Sequence, residues 1–213
     1  MFSNANRDCE LLDDHRVTCT WVDAYGLVSN LANLVGARSL VEIGVAYGYH
    51  AEFLLDTVPK ASYIGVDPYS AAGWPDTGLI AESKRLFNET DNQRGLDRLY
   101  EAVAANLRKF GKRAALIREK SAAAAARIPD QSIDLIYVDG DHSYEAVLQD
   151  LGLWWNKVNH RRGVICGDDI GWPGVRQACD EFFKAKSLSY RFAMKNGHEG
   201  LPVWYYDFSG TIK

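Results

Sequence analysis

Residues 39–43 and 61–66 are two short apolar runs joined by a glycine-bearing turn at 44–49 and a helix-compatible stretch that ends before Pro59. Strand, turn, helix and strand within about thirty residues form a βαβ unit, and only parallel strands with a crossover helix between them satisfy that spacing. A sheet begun in this way needs helices over its faces, so the unit commits the chain to a layered α/β architecture.

The rest of the sequence keeps the alternation. Apolar runs at 114–117, 133–138 and 163–166 read as further strands, and helical patterns cover 80–89, 96–110, 121–127, 143 to about 158, and the stretch after Pro173 and Gly174. Leu99, Val103, Leu107 and Phe110 fall on one face of the second of these helices, and Gly111 follows it. Ahead of the first strand, Trp21, Tyr25, Val28, Leu31 and Leu34 recur at helical spacing up to Gly36. Residues 190–194 and 203–208 are strand-like with no helix between them, which predicts a hairpin. The expectation is an α/β fold with a doubly wound, Rossmann-like sheet of seven mostly parallel strands, an antiparallel C-terminal hairpin and helices on both faces. The 213 residues suit one domain, with an N-terminal helical segment at about 1–36.

Composition removes several classes of function. Hydrophobic residues make up 47% and charged residues 24%, a globular balance, and a formal net charge of −4 gives no basic footprint for nucleic acid. Cys9, Cys19, Cys166 and Cys179 are scattered with no paired spacing, as expected of reduced thiols in a cytoplasm. The polar, acidic N-terminus lacks the basic start and apolar core of a signal peptide, and no apolar run reaches the roughly 18 residues of a membrane span. A small molecule is the expected partner, and association into a homo-oligomer is left open.

In open α/β sheets ligands bind at the carboxyl ends of the strands. The turn 42–50 reads Glu-Ile-Gly-Val-Ala-Tyr-Gly-Tyr-His. Gly44 and Gly48 allow a ligand close to the backbone, and the helix that follows offers free N–H groups to a carboxylate. Glu42 replaces the first glycine of a dinucleotide turn and suits a cationic amino group better than a pyrophosphate. Asp67, about 23 residues after Gly44, ends the next strand where ribose hydroxyls are bound in such sheets. Each acid also has a plain reading as part of a turn.

Charge is denser farther along. Residues 132–144 read Ser-Ile-Asp-Leu-Ile-Tyr-Val-Asp-Gly-Asp-His-Ser-Tyr, an apolar strand that stops at Asp139, Gly140, Asp141 and His142. Asp168 and Asp169 end the neighbouring strand. Three carboxylates from adjacent strand ends repel one another unless a cation neutralises them, and all-oxygen ligands favour Mg²⁺, Mn²⁺ or Ca²⁺ over Zn²⁺. Consecutive strand residues face opposite ways, so Asp168 and Asp169 can share an ion with Asp139 only if the backbone turns there. The alternative is a solvated acidic rim.

Taken in order, Glu42 to His50, Asp67 and the strand ending at Asp139 resemble the class I S-adenosylmethionine-dependent methyltransferases from about Leu40 onward. The similarity is strongest to the metal-dependent O-methyltransferases of the catechol and caffeoyl-coenzyme A type and to sugar O-methyltransferases acting on natural products. The resemblance implies that Gly44, with Val45 and Gly48, holds the methionine part of S-adenosylmethionine, Asp67 the ribose, and Ser121 the adenine, although Ser121 also suits the cap of its own helix. It places His50 where the catechol type has a small hydroxyl residue near the cofactor's carboxylate. It implies a metal on Asp139, Asp168 and Asp169, with Asp139 also near the cofactor. Where the catechol type has a lysine base, three residues after the first Asp, this chain has His142, which takes a proton near neutral pH.

The activity expected is transfer of a methyl group to a hydroxyl of a small molecule with neighbouring oxygens, a sugar or natural-product diol before a catechol. Tyr69, Trp74 and Trp172 are loop aromatics that either wall the acceptor pocket or pack, whereas Trp154 and Trp155 sit on a helix as core residues. A metal-dependent hydrolase using Asp139, Asp168 and Asp169 leaves Glu42, Gly44 and Asp67 unexplained. A nonenzymatic nucleotide-binding module would bind S-adenosylmethionine without transferring methyl, and a metal-independent methyltransferase would keep its activity under a chelator.

Overall fold

The computed structural model describes residues 9–11, 17–19, 23–76, 78–193 and 203–212. The sheet comprises β3 (Ser39–Ile43), β4 (Ser62–Val66), β5 (Ala114–Ile117), β6 (Leu135–Val138), β7 (Val164–Gly167), β8 (Arg191–Ala193) and β9 (Val203–Asp207), in the order β5-β4-β3-β6-β7-β9-β8. The first five strands in that order are parallel, and β9 runs antiparallel to both β7 and β8. The fold is therefore the doubly wound, Rossmann-like sheet that the alternation predicts, with its antiparallel C-terminal pair.

The two faces are sorted by strand alternation. On β6, Leu135 and Tyr137 join one core with Val28, Leu54, Leu55, Leu99 and Val103, from α1 (Asp23–Leu34), α2 (Tyr49–Thr57) and α4 (Asn92–Leu107). Ile136 and Val138 join the other with Leu151, Trp154 and Phe183, from α6 (Tyr144–Trp154) and α7 (Pro173–Ala185). Every residue of β6 is buried, as a central parallel strand covered on both faces requires. Of the remaining helices, α3 (Leu79–Phe87) packs against α4 and α5 (Ser121–Arg127) against α6.

Several boundaries differ from the sequence expectation. Among the described residues of the segment 1–36, the helix is Asp23–Leu34, and ahead of it β1 (Cys9–Leu11) pairs antiparallel with β2 (Val17–Cys19) where helix was expected. Strands of three residues are too short to show a period. The stripe that α1 buries is Ala24, Val28, Leu31 and Ala32, whereas Leu34 is 67% exposed; at 100° per residue it lies about 240° around the axis from Val28. Trp21 and residues 194–202 of the predicted hairpin lie outside the described residues. Strand β6 begins at Leu135, although the backbone of Asp134 already bonds to both neighbours (its N to Ser39 O, and Val164 N to its O), while its carboxylate accepts from the amides of Arg38 (2.8 Å) and Ser39 (3.3 Å) and from Arg162 Nε (2.8 Å). Helix α4 starts four residues early because Asp91 caps it, accepting from Arg94 N at 2.8 Å. Phe110 lies beyond its end, in a 3-10 turn.

Asp150, buried on α6, accepts from Ser121 Oγ, which in turn accepts from Trp154 Nε1 at 2.8 Å, so the network ties α5 to α6. Burial, with a smaller push from Asp141, outweighs the Ser121 hydrogen bond and lifts the Asp150 carboxyl to about 6. A carboxyl raised on folding lowers stability once it ionises: the cost develops as pH rises past the unfolded value near 4 and is complete above about 6. Asp150→Asn keeps an acceptor for Ser121 and is expected to stabilise the fold by about 2 kcal/mol at pH 7.5, with the gain vanishing by pH 4. Urea unfolding at the two pH values checks this, and an equal effect at both would contradict it.

Candidate active site

The turn after β3 is built around a close approach of two backbones. Gly44 has φ +90, and a methyl group on its Cα would lie 2.0 Å from the carbonyl oxygen of Asp139. Gly44 N donates to Val66 O and Asp139 N to Ile43 O, so the ends of β3, β4 and β6 are fastened together. Asp67 then pins the turn from β4: its Oδ2 accepts from the amides of Val45 and Ala46, both at 3.0 Å, and its Oδ1 from the amide of Tyr69 at 2.8 Å. Burial raises the Asp67 carboxyl even though three N–H groups and Arg118 pull it down. Ala46 (φ 47) and Tyr69 (φ 42) both adopt left-handed backbone. That costs each about 1–2 kcal/mol, and the Asp67 contacts together with the Tyr69 hydroxyl, which donates to Ala46 O at 2.8 Å, hold them there.

Gly48 (φ +75) precedes α2, and no side chain caps that helix. Its first amides face the turn, and a helix N-terminus of this kind favours an anion. Beneath it, Glu42 and His50 are each 2% exposed. Glu42 accepts from the Tyr63 hydroxyl through Oε2 and pairs with His50 Nδ1 at 3.0 Å through Oε1. Neither carboxylate oxygen is unpartnered, so Glu42 braces the turn from inside instead of offering a free oxygen to a ligand's amino group. The His50 ring stacks on Tyr25 with centroids 4.4 Å apart and meets Tyr137 edge-on at 4.6 Å. Its Nε2 has no hydrogen-bond partner among the described residues.

Asp139, His142 and Asp169 converge at the ends of β6 and β7. Each offers one ligand atom, and these atoms lie within 4.8 Å of one another. His142 Nε2 is 3.1 Å from Asp169 Oδ2 and 3.5 Å from Asp139 Oδ1, with a hydrogen-bond geometry to neither. Burial tends to lower the His142 pKa, but Asp139, Asp169 and Asp168 outweigh it and the net shift is upward. The backbone does turn between the paired acids, since Asp169 has φ 54. The turn separates them. Asp168 stays buried, accepts from its neighbour's amide at 2.7 Å and from the Tyr137 hydroxyl at 3.3 Å, and stands outside the cluster, where a metal ligand was expected. Burial first, and then Asp139, push its carboxyl up to about 7.

Other expected residues fall as follows. Asp141 accepts from Ser143 N at 2.8 Å, a local turn rather than a hold on the imidazole. Ser121 lies after β5, its hydroxyl committed to Asp150 and Trp154, and it does not cap α5 through its side chain. Tyr69 is buried and braces the turn, Trp74 is exposed, and Trp154 and Trp155 are core. Two residues were missed: Tyr63, whose tie to Glu42 spans 21 positions, and Gly174, whose signal was its place beside Pro173 at the start of α7.

The residues fit both groups that the resemblance implies. The uncapped α2 and the glycines of the turn suit the amino-acid end of S-adenosylmethionine. The outward carboxylates of Asp139 and Asp169 suit a hard divalent cation, with the His142 imidazole beside it.

Comparison with known proteins agrees with this fold. Residues 41–170 match a family described as a methyltransferase domain. Among curated proteins, the uncharacterized protein R132 of Acanthamoeba polyphaga mimivirus is 23% identical over 177 residues, covering 79% of this chain and 72% of that one. The uncharacterized protein y4gI of Sinorhizobium fredii is 25% identical over 65% of this chain, which spans 14% of that protein's length. Among solved structures, the O-methyltransferase of Bacillus cereus in complex with SAH has a TM-score of 0.61 at 14% identity, covering 87% of this chain and 80% of that one. CalS11, a calicheamicin methyltransferase, has a TM-score of 0.59 at 17% identity over 86% and 78%. TomG of Streptomyces achromogenes, an O-methyltransferase of tomaymycin synthesis in complex with SAM, has 0.56 at 14% over 87% and 79%. These three share the fold. With the family match spanning residues 41–170, the chain belongs to the methyltransferase-domain family, on a Rossmann-like class I fold.

Proposed function

We propose that the protein is an S-adenosylmethionine-dependent O-methyltransferase that acts on a small molecule with neighbouring oxygens, a sugar or natural-product diol before a catechol, with the help of Mg²⁺ or a similar cation. The observation that carries this reading is the placement of the Asp139, His142 and Asp169 cluster at the same sheet edge as the glycine turn, joined to it through the Gly44–Asp139 contact. The fold shared with CalS11, described as a TDP-rhamnose 3'-O-methyltransferase, supports a sugar hydroxyl as acceptor.

When bound, S-adenosylmethionine supplies an electrophilic methyl group and the cation a positive charge beside the acceptor's oxygens. The turn at Gly44, Val45 and Gly48 and the amides of α2 would hold the amino-acid end of the cofactor, while Glu42, paired with His50, keeps the turn in shape. Asp67 would exchange part of its hold on the turn amides for ribose hydroxyls. Asp139 and Asp169 would hold the cation, and the buried Asp168 anchors the loop by way of Tyr137. His142 is the base. Unscreened, its carboxylate neighbours favour a proton on the ring; offsetting their charge would ease uptake of the acceptor's proton. Free, buried Cys166 and Cys179 accord with a cytoplasmic setting. No helix among the described residues is long and apolar enough to cross a membrane.

Release of S-adenosylhomocysteine over a panel of diol acceptors tests these roles. His142→Gln and Asp139→Asn are each expected to lower turnover about 100-fold or more, and undiminished turnover in both would refute the assigned roles. Separately, a chelator is expected to abolish wild-type turnover and added Mg²⁺ to restore it; activity that survives the chelator would remove the metal and leave the methyltransferase standing.

A further inference from the structure

Trp172 is 54% exposed, and its ring centroid lies 5.6 Å from that of His142 at a tilt of 42°. Of the exposed large hydrophobic side chains among the described residues, Leu34, Trp74, Trp172 and Phe192, it is the one with a ring contact to the charged cluster. Two backbone constraints fix it. Its amide donates to Asp169 O at 2.8 Å, and its carbonyl accepts from Arg176 N at 3.0 Å as α7 begins at Pro173. One residue on, Gly174 packs against the loop that carries His142: a methyl group there would lie 2.7 Å from His142 O and 2.9 Å from Tyr144 N. The start of α7 and the loop between β6 and α6 are thus in direct backbone contact, and the indole is carried to the imidazole by main chain on both sides.

An exposed apolar side chain alone needs no explanation. An indole held beside a base and two carboxylates is a different case, because it adjoins the cluster at which the proposed function gathers an acceptor's oxygens. The carboxylate side of such a site takes neighbouring hydroxyls, and the indole side takes an apolar ring face.

Resting on the methyltransferase reading, we propose that Trp172 is a specificity-determining residue: it is the platform for the acceptor's ring, and it selects cyclic vicinal diols over acyclic ones. The ring face of a pyranoside and that of a catechol share this chemistry. An acyclic polyol has the oxygens without the face.

Steady-state kinetics of the wild type, Trp172→Phe and Trp172→Ala test the proposal with a methyl pyranoside, catechol and an acyclic vicinal diol, and S-adenosylhomocysteine binding serves as the check that each variant is folded. Trp172→Ala is expected to raise KM for a cyclic acceptor about tenfold, with a smaller fall in kcat. Trp172→Phe is expected to restore most of the loss, and KM for the acyclic diol to stay unmoved in both. Which cyclic acceptor shows the effect tells a sugar from a catechol. An unmoved KM for the cyclic acceptor that the wild type uses, or an equal rise for the acyclic one, overturns the proposal alone. A wild type that transfers methyl to none of the three overturns the methyltransferase reading and this inference with it.

Discussion

The backbones of Gly44 and Asp139 meet so closely that a single methyl group on Gly44 would lie 2.0 Å from the Asp139 carbonyl oxygen. No other residue type fits there. The contact is possible because β3 and β6 are parallel neighbours in register at the middle of the sheet, Ile43 opposite Val138, so the two strands end together. Everything that follows β3, the turn and the start of α2, is thereby held beside everything that follows β6, the carboxylates and the imidazole. Both halves of the site depend on this one register.

Around that contact, charge is divided between interior and edge. Glu42 and Asp67 lie inward, their oxygens taken by Tyr63, His50 and the amides of the turn. Asp139 and Asp169 lie outward around His142, whose Nε2 is 3.5 Å from Asp139 Oδ1 and 3.1 Å from Asp169 Oδ2. A buried carboxylate with its partners in place stiffens the structure, whereas carboxylates that crowd a half-exposed imidazole raise its pKa and invite a counter-ion. Two similar sets of acids, one at β3 and β4 and one at β6 and β7, do different work because their surroundings differ.

Much of this was legible in the sequence, for identifiable reasons. The parallel strands could be read because they are short, mostly apolar runs, as burial on both faces favours. Asp67 and Asp139 could be located because each follows such a run directly, and His142 because it lies three residues beyond Asp139. Asp168 and Asp169 could not be told apart: which of two adjacent acids faces outward depends on the left-handed backbone of Asp169, a conformation its neighbours impose. In the same way, Glu42 showed as an acid in a glycine's place, but the hydroxyl that holds it comes from Tyr63 on the next strand and left no mark in the local pattern. The hairpin of β1 and β2 was missed because three-residue strands carry no period.

The central claim is that the turn after β3 and the cluster after β6 and β7 form one site. A crystal structure of the protein with S-adenosylhomocysteine and Mn²⁺, with the ion located by its anomalous scattering, addresses it most directly. The account predicts the amino-acid end of the ligand at the N-terminus of α2 and the ion between Asp139 and Asp169 beside His142. An ion bound away from these residues, or a ligand seated away from Gly44, would contradict it.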